Sequence, residues 1–239
     1  MENIGNFTVA KRWGSFLLLY LGYMILFADR TVMNISLAYI GKDFHVGTAA
    51  LGATASAFFL GYTLMQIPGG YLTDKFGSKL MVIISLFTWS LMTMVTGWAW
   101  SLAALIAIRF LFGIAEGPYP AAALKRISEN YDKSEKSQAT SALISSNYAG
   151  AAVAPLIIVP IIASNGWRNA FVWLGVGGFI ILLAYYLVER PINSSQENGL
   201  VRPKIEWKKI DHRVWAFVVI GLALNIITKG LETWMPVYF

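Results

Sequence analysis

Residues 80–108, 137–167 and 169–188 carry no charged residue at all, runs of 29, 31 and 20 positions. A helix needs about 20 predominantly apolar residues to cross a bilayer, so each run is long enough. Apolar segments fall near 14–40, 50–72, 80–100, 102–124, 140–163, 170–188 and 214–239. The pattern predicts seven transmembrane helices, an all-α polytopic membrane protein. Between the third and fourth segments, Gly97-Trp98-Ala99-Trp100-Ser101 has no formal charge. Its indoles favour the membrane interface, which predicts a tight hairpin there. Lys11 and Arg12 precede the first segment as in a signal peptide, but Ala28-Asp29-Arg30 is not a small-residue cleavage site. The segment should stay attached.

Composition agrees with that pattern. Of 239 residues, 56% are apolar and 13% charged, against roughly 45–50% and 25% for a soluble domain. The net charge of +6 has a topological explanation. Counted by alternate loops, fourteen Lys and Arg fall on one side: Lys11, Arg12, Lys75, Lys79, Lys125, Arg126, Lys133, Lys136, Arg190, Arg202, Lys204, Lys208, Lys209 and Arg213. Only Lys42 and Arg168 fall on the other. Basic loops stay inside, so the amino terminus is expected in the cytoplasm and the protein in the cell's inner membrane. No nucleic-acid partner is needed to account for the charge. The absence of Cys excludes a disulfide scaffold, thiol catalysis and Cys-ligated zinc; His45 and His212 are the only histidines. No metal and no cofactor is expected.

Residues 190–213 are polar and carry Pro191, Asn193-Ser194-Ser195, Asn198-Gly199 and Pro203. The chain therefore divides into a six-helix bundle (1–189), a cytoplasmic linker (190–213) and a seventh helix (214–239). Six spans, an inner linker and a new span suggest a transporter built from two repeated halves. The sequence stops at the outer end of the seventh helix. A missing second half is expected, without which an isolated copy could not transport.

Four ionisable residues lie deep within the bundle: Asp29 and Arg30 on the first helix, Arg109 and Glu116 on the fourth. Left without partners, they would together cost on the order of 10–14 kcal/mol at bilayer depth. They must pair, face water, or both. Arg109 and Glu116 are seven residues apart, which returns to nearly the same helix face about 10.5 Å further on. Tyr23, Arg30 and Asn34 share a stripe of the first helix, with Asp29 beside it. One reading is a structural ion-pair network that only fixes helix packing. The other gives the Arg pair an anion to hold, since guanidinium matches carboxylate geometry with parallel hydrogen bonds, and makes the acids proton carriers. An anion that binds the Arg competes with the acid and favours its protonation, so substrate and proton load together.

Gly70-Tyr71-Leu72-Thr73-Asp74-Lys75-Phe76-Gly77-Ser78-Lys79 resembles the G-x-x-x-D-[KR]-x-G-[RK]-[KR] loop of the major facilitator superfamily, departing at Ser78. Arg109-Phe110-Leu111-Phe112-Gly113-Ile114-Ala115-Glu116-Gly117 is similar to its fourth-helix R-x-x-x-G-x-x-x-G pattern. The Asp29-Arg30 pair with Arg109, Glu116, Gly117-Pro118 and Pro120 resembles the anion:cation symporter branch. The resemblance implies the six-helix amino-terminal half of a major facilitator fold plus a seventh helix. It also implies proton-coupled symport of a carboxylated sugar by alternating access. Asp29 and Glu116 are then protonation sites, and Arg30 and Arg109 contact or respond to the substrate carboxylate. Tyr62 matches a substrate-contacting position, and Asn147 stands where sugar-acid members carry the longer Gln.

On its own terms, the loop between the second and third helices reads as a conformational latch of Gly70, Asp74, Lys75, Gly77 and Lys79. Gly70 and Gly77 permit close approach and turning, and Asp74 can cap a helix or engage an Arg. Tyr62 and Gln66, one turn apart, are candidate cavity hydrogen-bonders, and Lys229 and Glu232 a candidate pair on the seventh helix. Small organic anions, protons and the lipid bilayer are the expected partners. Rival readings are a sugar-phosphate or other anion exchanger of the same superfamily and a non-transporting membrane sensor. An enzyme is disfavoured, because no Gly-rich phosphate loop, His metal motif or G-x-S-x-G elbow occurs.

Overall fold

The computed structural model describes residues 9–189 and ten helical positions between Ala216 and Leu231. Among the described residues all regular structure is helical: α1 (Val9–Phe44), α2 (Thr48–Phe76), α3 (Ser78–Gly97), α4 (Leu102–Glu116), α5 (Tyr119–Asn130) and α6 (Lys133–Val188). The chain falls into two units, Met1–Arg190 and Pro191–Phe239. The linker 190–213, Lys229 and Glu232 lie outside the described residues.

Six spans emerge from these six elements in an unexpected way. α4 and α5 form one apolar span, Leu102–Asn130, which runs six residues beyond the predicted limit at 124. Gly117 and Pro118 keep helical backbone angles (φ −49°, ψ −41° and φ −73°, ψ −24°), so the chain bends without leaving the helix. Pro120 has no N–H to offer the Glu116 carbonyl, and the bend therefore falls directly after Glu116. α6 is 56 residues long, but Gly166 (φ 81°, ψ 161°) breaks it into arms at 133–165 and 167–188. That backbone region is open essentially only to glycine. The arms are the predicted fifth and sixth spans.

The hairpins follow local chemistry. α3 ends at Gly97, and Ser101 Oγ caps α4 by accepting from the Ala104 N–H at 3.2 Å. Only Gly77 separates α2 from α3, again with a glycine-specific backbone (φ 88°, ψ 150°).

Packing rests on small residues, as expected where lipid removes the hydrophobic drive between helices. α1 and α3 pack on α6, and α2 packs on α4. A Cβ at Gly61 would lie 2.2 Å from the Phe110 carbonyl oxygen, and one at Gly113 2.3 Å from that of Phe58. The two glycines let the α2 and α4 backbones touch. Gly150 does the same for α6 against Met24 of α1, at 2.1 Å. Leu26, Leu86, Trp89, Phe112, Tyr119 and Tyr185 fill the interior.

Candidate functional site

The four deep charges converge between α1 and α4, and they do so as two pairs. Arg109 Nη1 donates to Asp29 Oδ1 at 2.7 Å. Arg30 Nη2 donates to Glu116 Oε1. Glu116 also lies within electrostatic reach of Asp29 and Arg109, so the pairs form one cluster. The α1 and α4 backbones are not among the closely packed helix pairs; long Arg side chains span the space between them.

Side-chain direction explains the choice of partners. Each Cα–Cβ bond leans towards its helix's amino terminus, so Arg30 runs back along α1. α4 is antiparallel to α1 and carries Glu116 a further two turns along in that same direction. Both Arg planes are braced by rings. The Arg30 guanidinium carbon lies 4.6, 5.1 and 4.8 Å from the ring centroids of Phe27, Phe58 and Tyr62. That of Arg109 lies 5.0 Å from Phe112 and 4.8 Å from Phe171. Ring faces attract the cation and leave its N–H edge for anions.

The pairs differ in access. Asp29 and Arg109 are sealed, with side chains 0% and 2% exposed. Arg30 keeps 15% exposure while its partner Glu116 has none. Several polar atoms of the cluster have no protein hydrogen-bond partner: Asp29 Oδ2, Glu116 Oε2, Arg30 Nε and Arg109 Nε and Nη2. Tyr23 stacks on Phe27 and meets Tyr119 at a tilt of 52° beside the cluster.

Other expected site residues are placed differently. Tyr62 is half-buried against Arg30. Asn147 is half-buried with Oδ1 lacking a hydrogen-bond partner, and no hydrogen bond joins it to the four charges. Gln66 is exposed. The close approach expected at Gly70 is made instead by Gly69, where a Cβ would meet Pro118 Cα at 2.8 Å; Gly70 faces open space within α2. Asp74 caps no helix. It lies on the last turn of α2 and pairs with Lys125 at 3.0 Å, because Gly77 occupies the capping position of α3. Gly77 makes the turn, the Lys75 ammonium lies 5.2 Å from the Phe76 ring, and Lys79 donates to the Glu189 carbonyl.

Two networks were not anticipated from sequence. Arg126, counted above as a loop charge, is 8% exposed. Its Nη2 meets Glu189 Oε2 at 2.5 Å, and Ser15 Oγ donates to Glu189 Oε1 at 2.5 Å. Ser78 donates to Glu129, which also pairs with Arg126 at 3.3 Å. At the opposite end, Arg168 pairs with Asp43 and donates to the Ala99 carbonyl at 3.2 Å. The available signal was a charged residue directly abutting an apolar run, as Glu189 and Arg168 do.

Residues 19–239 match the model of the Major Facilitator Superfamily. Among curated relatives, a probable galactarate/D-glucarate transporter of Escherichia coli (strain K12) is 29% identical over 96% of this chain and 60% of its own length. A probable sulfoacetate transporter of Cupriavidus necator is 29% identical over 90% and 54%. The chain thus spans about half the length of the curated relatives it matches. Among solved structures, an inward-facing, occupied bacterial homologue of the human lysosomal transporter Spinster superposes with a TM-score of 0.80. It shares 24% identity over 96% of this chain and 54% of its own.

Proposed function

The chain belongs to the Major Facilitator Superfamily as a multi-pass membrane protein, and on that premise we propose that the whole protein is a proton-coupled symporter of a small carboxylated anion, such as a sugar acid. It works by alternating access and carries out no chemistry on its cargo. The observation that carries this reading is the pair of buried ion pairs bridging α1 and α4, of which one Arg alone is reachable. Relatives named for galactarate, glucarate, hexuronate and sulfoacetate transport support the class of cargo. The amino terminus is cytoplasmic, the membrane is the cell's inner membrane, and residues 190–213 link two halves.

Arg30 is the anion contact. Its plane is clamped by three rings, and its N–H edge already holds a carboxylate, that of Glu116. A substrate carboxylate competes for that edge. Glu116, deprived of its counter-charge in a water-poor site, takes a proton, which couples the two loads. Asp29 is the second protonation site and stands behind the first, on the sealed Arg109. Arg30 contacts the substrate directly, and Arg109, which holds Asp29, responds to it through that pair. Tyr62 positions Arg30, and the α2–α3 turn with its Asp74–Lys125 pair is the latch.

The test uses the full-length protein in proteoliposomes. Arg30→Lys keeps the charge but loses the bidentate fork, so counterflow of glucarate should weaken at least ten-fold in apparent affinity. Glu116→Gln should retain exchange and lose accumulation driven by a proton gradient. Undiminished affinity in the first variant removes Arg30 as ligand, and persisting accumulation in the second removes Glu116 from coupling. Exchange of a sugar phosphate without carboxylate uptake would favour the exchanger reading.

A further inference from the structure

Outside the charge cluster, a groove of about 420 Å³ opens between α2, α3 and α4. Phe76 and Met81 line one end, at the α2–α3 turn, and Met92 and Leu111 line the other. From Met81 to Met92 is eleven residues, about 16.5 Å along α3. A bilayer's hydrocarbon core is about 30 Å thick, so one leaflet spans about 15 Å. The groove is therefore as long as one leaflet is deep, and it starts at the membrane surface.

We propose that this groove binds one acyl chain of an anionic phospholipid from the leaflet that holds the α2–α3 turn, with the phosphate beside Lys75. Two features of the site select that occupant. The first is charge at the mouth: the Lys75 ammonium sits 5.2 Å from the ring of Phe76, itself part of the wall, and Lys75 has no carboxylate partner among the described residues. The neighbouring Asp74 is occupied by Lys125. The second is the wall itself: Met65, Met81 and Met92 contribute unbranched thioether chains, which adapt to a flexible occupant. The inference is independent of what the protein transports.

The experiment measures lipid retention by the purified protein, by native mass spectrometry after exchange from vesicles of phosphatidylglycerol or of phosphatidylcholine with identical chains. One basic residue near an anionic headgroup predicts about a five-fold preference for phosphatidylglycerol, with one lipid retained per protein. Lys75→Gln, at an exposed position, should bring the ratio close to one. Ile84→Trp, which fills the groove from an exposed site on α3, should abolish retention of both lipids with helicity unchanged by circular dichroism. Equal retention of the two lipids by the parent protein overturns the proposal, as does a preference untouched by Lys75→Gln. Retention that survives Ile84→Trp also overturns it. Concentration-dependent self-association lost in Ile84→Trp would assign the groove to a helix of a second copy instead, which equally defeats it.

Discussion

Truncation of Glu189 should be among the most damaging single changes at the end of the bundle where α5 and α6 terminate. The carboxylate accepts from Arg126 Nη2 at 2.5 Å, from Arg126 Nε at 3.3 Å and from Ser15 Oγ at 2.5 Å, and it is 1% exposed. Glu189→Ala removes all three bonds and leaves the buried Arg126 to the more exposed Glu129 at 3.3 Å. Breaking a buried pair from one side costs about 3–5 kcal/mol, because the surviving charge keeps its desolvation penalty. Removing both charges is different. Glu189→Met with Arg126→Met replaces the pair with apolar side chains of similar length, which is often neutral or stabilising. The double variant should therefore lie within about 1 kcal/mol of the parent and be clearly more stable than either single variant. The assay is equilibrium unfolding of the purified protein in mixed micelles of rising sodium dodecyl sulfate, followed by tryptophan fluorescence and circular dichroism. A loss below about 1 kcal/mol in Glu189→Ala, or a double variant as unstable as the sum of the singles, refutes the assignment of this cluster as a desolvated ion-pair rivet.

The same unfolding assay checks two further expectations, and size exclusion a third. Gly166→Ala meets no atom within 4 Å, yet its φ of 81° at ψ 161° is a glycine conformation, so it should lose about 1–3 kcal/mol, whereas Gly70→Ala, helical and in open space, should gain about 0.5–1 kcal/mol. Gly113→Leu forces side-chain atoms into the Phe58 carbonyl, 2.3 Å from the ideal Cβ, and should abolish monodisperse elution on size exclusion. Arg168→Ala breaks a pair whose side chains are 40% and 42% exposed, and should change stability by no more than about 1 kcal/mol, well short of the effect at Glu189.

How far the sequence foretold these results depends on what each feature requires. Spans are a matter of composition, and uncharged runs such as 137–167 exposed them directly. The four deep charges stood out because each is expensive in lipid. Which Arg takes which acid was not legible: spacing along α4 places Arg109 and Glu116 on one face, but the partner is chosen by the lean of side chains on α1 and by the distance between two helices far apart in sequence. Arg126 was misplaced among the loop charges for a related reason. The apolar run ends at Leu124 and Lys125-Arg126 reads as the start of a loop, yet α5 continues to Asn130 and carries Arg126 into the bundle. The exchange of Gly69 for Gly70 shows the same limit, since adjacent glycines look alike until a neighbouring helix presses on one of them.

Rigidity is distributed unevenly in the six-helix unit, and the distribution bears on how it could move. Both ends are tied by charges that reach three or four elements: Glu189 joins α1, α3 and α5 to the end of α6, and Arg168 joins α6 to α1 and to the α3–α4 hairpin. Glycine contacts lock α2 to α4 and α6 to both α1 and α3. Among the described residues, α1 and α4 meet mid-membrane through long, ion-paired side chains, not through close backbone packing, and the Gly117-Pro118 junction after Glu116 adjoins that seam. A carboxylate that displaced Glu116 from Arg30 would alter this side-chain contact and leave the charge ties at both ends untouched. On the proposed reading, that is how cargo could reset the α1–α4 seam without loosening the bundle, leaving the six helices free to rock as one body.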